Sequence, residues 1–302
     1  MKDRLFVLLQ YPLPHHFLSR LVMLLTRVEI APVKNWMISV FVRRYGIRLD
    51  ELAEPSPAAY PSFNSFFTRA LKPGARPVVA GEDEIACPVD GTVSQAGRIE
   101  HDRIFQAKGH AYTLEALLGG DVGLAAEFAD GSFATIYLSP RDYHRVHMPE
   151  AGRLRRMLYV PGRLFSVNAA AVRRVPELFA RNERMVCMFD TAHGPMAVIL
   201  VGALFVGSME TVWGKPPAWI NLHETNRPHR HAGVKYADYD EPASHVALAR
   251  GEEMGRFNMG STVIVLFAKN AMQLDAAVRS GQPVKMGQLL GRWLAPRAGG
   301  AE

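Results

Sequence analysis

The chain has 302 residues, 48% hydrophobic and 21% charged, a composition that can bury a core and excludes a fibrous or wholly disordered protein. Its formal charge of +6 favours an anionic partner (nucleic acid, acidic lipid or a phosphorylated substrate) without choosing among them. The two cysteines, Cys87 and Cys187, exclude a disulfide framework and a Cys-x-x-Cys metal site, and they suit a reducing compartment.

The N-terminal "MKDRLFVLLQYPLPHH" starts like a signal peptide, but Gln10, Pro12 and Pro14 break the apolar run and no small-residue cleavage site follows. Next, "HHFLSRLVMLLTRVEI" sets Phe17, Leu18, Leu21, Val22, Leu24, Leu25 and Val28 against His16, Ser19, Arg20, Thr26 and Arg27. That is a helical period with one wide apolar face. "KNWMISVFVRRYGI" repeats it, with Trp36 near its start and Arg43 and Arg44 at its end. No stretch reaches the roughly 18 uninterrupted apolar residues of a spanning helix. Basic flanks and interfacial aromatics predict helices that lie on a membrane surface. The plainer alternative is that they pack on the protein's own core.

"PSFNSFFTRALKPGARP" closes the helical region with an aromatic cluster and a Pro/Gly-rich connector. Beyond it come short runs rich in Val, Ile and aromatics, such as "SFATIYLSP", "RLRRMLYVPG", "RMVCMFDT" and "STVIVLFA", mostly bounded by Gly, Pro, Asp or Asn. Those are strand signals. "TLEALLGG" and "NAAAVRRVPELFARN" are the predicted helices between them. The predicted fold is α+β. N-terminal amphipathic helices (1–70, a membrane-association region) sit on a mostly antiparallel β body (71–302). No regular strand–helix alternation and no GxGxxG after a strand support a dinucleotide fold.

Few polar groups lie among the strands. Asp90 in "CPVDGTV" is a turn residue by default. "SPRDYHRVHMP" gathers Asp142, His144 and His147 on one short segment, which reads as a site. If the segment were a continuous strand, the two histidines would point to opposite faces, unless it bends near Pro149. Their spacing suggests no third metal ligand. "NLHETNRPHRHAGV" adds His223, Glu224, His229 and His231, read as a solvated loop rather than a metal site. "RFNMGSTVIVLF" places Ser261, preceded by Gly260, at the entrance to an apolar strand. A serine becomes nucleophilic through a base, usually a histidine held by an aspartate. Asp90, His147 and Ser261 could supply those roles, with Asp142 competing for the acid. Ser261 lacks the Gly-x-Ser-x-Gly elbow, and the glycine before it would ease attack on its own backbone carbonyl.

These residues carry a resemblance. "FNSFFTRALKPGARP", "CPVDGTVS", "YLSPRDYHRVHMP", "PGRLFSVN", "LVGALFVGSMET", "RGEEMGRFNMGSTVIV" and "VKMGQLLG", in that order over nearly the whole chain, resemble the phosphatidylserine decarboxylases, self-cleaving pyruvoyl-dependent membrane enzymes. Met259 stands where bacterial relatives often have leucine. The resemblance implies a proenzyme. His147, oriented by Asp90, would take the Ser261 proton, and the Ser261 oxygen would attack the Gly260 carbonyl. Elimination would leave a β chain 1–260 and an α chain 261–302 whose first residue, Ser261, has become a covalent pyruvoyl cofactor. That group would engage the amine of phosphatidylserine and act as electron sink while carbon dioxide leaves. His144 would be the acid that protonates the substrate carbon, releasing phosphatidylethanolamine. The implied setting is the cytoplasmic side of the cell membrane, peripherally bound to an anionic leaflet, with no metal and no nucleic acid, and with a homodimer compatible. A membrane-associated serine hydrolase and a lipid-binding protein are the rival readings. Both keep the chain intact.

Overall fold

The computed structural model describes residues 2–107, 109–204, 208–214, 233–239 and 245–295. Four helices open the chain: α1 Lys2–Gln10, α2 His15–Thr26, α3 Ala31–Tyr45 and α4 Phe63–Phe67. Gly46 ends α3 in the left-handed conformation at φ 62°, which a residue without Cβ adopts at least cost. Ser62 caps α4 by accepting the Ser65 amide at 3.2 Å.

The apolar period of α2 is real, but its orientation is inverted relative to a helix covering its own core. His15, Ser19 and Thr26 are its buried residues. Phe17, Leu21, Leu24 and Leu25 stand 60, 48, 58 and 52% exposed. The inward polar face is bonded to the β body. His15 accepts the Leu164 amide at Nδ1, His16 Nε2 donates to the Gly162 carbonyl, and Gln10 Oε1 accepts the Ser166 amide. Along α1 and α3, Leu5, Leu8, Leu9 and Trp36 are also exposed. Among the described residues no helix is long and apolar enough to cross a membrane.

From Glu84 onward the chain is mainly strands, as their β-branched composition predicts. The main sheet has nine strands, all antiparallel. At its centre Ser261–Phe267 runs between Gly194–Val201 and Ser132–Leu138, and all seven of its residues are buried. A three-stranded sheet joins Met209–Thr211, Glu253–Phe257 and Arg145–His147. The fold is therefore α+β, and the core lies mostly among these strands. A second apolar cluster packs Ile38 and Phe41 of α3 on Phe63, Phe66 and Phe67. The helix expected over 168–182 divides into Ala169–Val172 and Leu178–Arg181, because Pro176 and a left-handed Glu177 (φ 53°) interrupt it.

Candidate active site

The connection 258–260 carries the chain from the small sheet to the large one. Ser261 then opens the central strand opposite Leu138. Its side chain is fully buried, and its Oγ has no hydrogen-bond partner. A buried hydroxyl left unpaired costs about 1–3 kcal/mol, so its retention calls for a chemical reason. A Cβ built on Gly260 would lie 3.6 Å from the Leu138 carbonyl oxygen and 3.8 Å from His144 Nε2. An imidazole nitrogen thus stands close beside Gly260.

That nitrogen is poised by its surroundings. His144 Nδ1 donates to the Asp142 carbonyl at 2.8 Å, since a carbonyl can only accept, and this leaves Nε2 as the lone-pair atom. Nε2 is buried without a partner, and the ring packs on Phe67 at 4.1 Å. Burial, and then the charge of Arg69, push the His144 pKa down to about 3, so the ring is neutral near pH 7. Arg69 was not singled out from sequence. It is itself buried, and donates to the Arg141 and Asp142 carbonyls at 3.0 and 3.2 Å.

His147 is held differently. Nδ1 donates to the Gly251 carbonyl at 2.8 Å, and Nε2 accepts from the Tyr143 hydroxyl at 3.1 Å. Burial lowers its pKa, while the Gly251 bond and the charges of Glu253 and Asp90 oppose that. The strand here is only Arg145–His147, so His144 lies before it and strand alternation does not separate the two rings.

Asp90 is buried near this group, yet no hydrogen bond joins it to His147. Its carboxylate accepts Arg76 Nε at 2.9 and 3.0 Å, Arg76 Nη2 at 2.6 Å and the Met286 amide at 2.9 Å. The residue that orients the His147 ring is Gly251, and Asp90 reaches it through charge. Arg76 also pairs with Glu51 at 3.0 Å, which ties the N-terminal region to the site. Its sequence signal, one arginine in a Pro/Gly-rich connector, was too weak to find it. Arg76→Met leaves a buried carboxylate unpaired and is expected to lower stability by about 3–5 kcal/mol in urea unfolding. Asp142 turns its carboxylate to the Ser139 amide and hydroxyl, both at 2.7 Å, and serves His144 only through its backbone. His223, Glu224, His229 and His231 lie outside the described residues.

A fully buried serine with a free hydroxyl, a glycine before it and two histidines held in different surroundings make up a candidate catalytic site on an α+β body. The family model described as Phosphatidylserine decarboxylase matches residues 63–292, and a second, described as PSD, matches residues 5–46. The phosphatidylserine decarboxylase proenzyme of Ectopseudomonas mendocina (strain ymp) is 52% identical over 295 residues, covering 96% of this chain and 99% of its own. The namesake of Pseudomonas aeruginosa (strain LESB58) is 53% identical over 293 residues, 96% of this chain and 97% of its own. That of Alkalilimnicola ehrlichii is 57% identical over 267 residues, 87% and 88% of the two chains. This chain belongs to the phosphatidylserine decarboxylase family.

Proposed function

We propose that the chain is a proenzyme that cleaves itself between Gly260 and Ser261 and then converts phosphatidylserine to phosphatidylethanolamine and carbon dioxide at a membrane surface. The observation that carries the reading is the buried, unpartnered Ser261 hydroxyl at the head of the central strand.

In cleavage, Ser261 Oγ attacks the Gly260 carbonyl carbon and its proton passes to a histidine. His147 is the better base, because His144 at a pKa of about 3 binds protons too weakly; the proton goes to His147 Nε2 once the Tyr143 hydroxyl turns its hydrogen bond away from that lone pair. Asp90, fixed by Arg76, stabilises the charge that His147 acquires. The amide becomes an ester with a free amine at residue 261. Loss of the residue 261 α-proton expels the Gly260 carboxylate, and water replaces the resulting enamine nitrogen, which leaves as ammonia. The pyruvoyl group so made supplies an electrophilic carbonyl for the substrate amine and an electron sink as carbon dioxide departs. Its setting fits. Residue 261 is paired opposite Leu138 at the head of the central strand, with His144 beside the preceding glycine.

His144 then has the second task. The bound substrate brings carboxylate and phosphate charge into a dry site, which raises the proton affinity of the ring. His144 Nε2 delivers the proton to the substrate carbon. The exposed apolar faces of α1–α3 and the net charge of +6 support docking on an anionic bilayer. Trp36→Glu or Leu24→Glu removes about 1.5–3 kcal/mol of burial, so each is expected to weaken binding to phosphatidylserine-containing vesicles roughly tenfold or more in flotation. Intact mass of the denatured protein tests the whole reading. Two species dividing at residue 260 support it, whereas one uncut chain turns it to a serine hydrolase or lipid-binding protein.

A further inference from the structure

The connection that holds the proposed cleavage bond is short, and among the described residues it makes few backbone hydrogen bonds. Of residues 258–260, Asn258 alone donates a loop amide to a described residue, the Ser208 carbonyl at 3.1 Å. Met259 is wedged between the two apolar clusters. The position of Gly260 is therefore decided largely by the Asn258 side chain, which is 4% exposed and fully bonded. Its Nδ2 donates to Ser208 Oγ at 2.6 Å and to Glu210 Oε1 at 2.9 Å. Its Oδ1 accepts from Asn64 Nδ2 at 3.0 Å.

The partners lie on two supports, Ser208 and Glu210 on one and Asn64 on the other. Glu210 is on the strand Met209–Thr211, paired beside Arg256. Asn64 is on α4, the helix whose Phe67 forms the wall under His144. The clamp thus ties the approach to the cleavage bond to the element that places the imidazole beside it. Intramolecular attack rewards such placement steeply, because small displacements of reacting atoms lose orders of magnitude in rate.

Resting on the self-cleavage reading above, we infer that Asn258 is a positioning residue for self-cleavage, clamping the segment before Gly260 to Glu210 and Asn64. It touches none of the reacting atoms. It acts by presenting the Gly260 carbonyl to Ser261, and it keeps the new chain end seated on α4 after the bond breaks.

The donor–acceptor pattern supplies the test. Asn258→Asp replaces the donating amide with an oxygen at the 2.9 Å now spanned to the Glu210 carboxylate, so two acceptors of like charge meet. Adding Glu210→Gln restores a donor in reversed polarity, and Asn64 and Ser208 can still donate to the new carboxylate. Full-length chains made by cell-free synthesis are followed by mass spectrometry for the rate of splitting. The same substitutions in a Ser261→Ala background report folding by thermal melting. Asn258→Asp is expected to split roughly tenfold slower or more. Asn258→Asp/Glu210→Gln is expected to return to within about threefold of wild type, which a loss of fold alone would not do. Wild-type speed in Asn258→Asp overturns the inference. So does a double variant as slow as the single one, whether it melts like wild type or earlier. A wild-type chain that never splits overturns the self-cleavage reading instead.

Discussion

Ser261→Ala is expected to run as a single chain of full length under denaturing conditions, while the wild type resolves into 1–260 and 261–302, the smaller blocked to N-terminal sequencing. The effect is all or none because no other hydroxyl can replace it. The Thr262 Oγ1 is also buried and unpaired, but it belongs to the next residue along the strand and cannot reach the same carbonyl through the same ring. The two wild-type pieces should stay together without denaturant. Thr262 to Phe267 are hydrogen-bonded on both sides, to Ser132–Leu138 and to Gly194–Val201, and are fully buried. Removing such a strand would expose core on two neighbours at about 25 cal/mol per Å². A single species from wild type, or a split Ser261→Ala chain, would sink the assignment of Ser261.

His144→Ala is expected to split at a rate close to wild type yet to lose decarboxylation by about 10²–10⁴-fold, the range for a general acid. His147→Ala should instead remain uncut. The contrast follows from proton affinity. Burial and then Arg69 lower the proton affinity of His144, with little to oppose them; burial lowers that of His147 too, but there the Gly251 bond and the charges of Glu253 and Asp90 oppose it. Nitrogen NMR of the uncut Ser261→Ala chain at neutral pH offers a direct check. The His144 ring should be neutral with its proton on Nδ1, as the bond to the Asp142 carbonyl requires. A protonated His144 there, or an uncut His144→Ala chain, would reverse the division of labour between the two histidines.

Much of the site was legible as residue types at the right places in the chain. Gly260 and Ser261 stand at the mouth of an apolar run, and the structure makes that run the central strand. His144 and His147 were legible as a cluster on one segment. Their relations were not. Asp90 reads as the acid for His147, but the structure gives its carboxylate to Arg76 and leaves the ring to Gly251. The Asn258 clamp joins residues 194 positions apart through Asn64, and no local pattern announces it.

By itself the sequence determined the family, the α+β class and the amphipathic period of the N-terminal helices, and it singled out the serine and the two histidines as candidates. These are local or ordered along the chain, and side-chain spacing and motif order record them directly. Only the tertiary structure decided which face of α2 is covered, which nitrogen of His144 is free while both of His147 are bonded, and which carboxylate meets which cation. Periodicity states that a helix has two faces, but not which one finds the β body. Proton affinity and orientation depend on burial and on partners distant in sequence, and those exist only once the chain has folded.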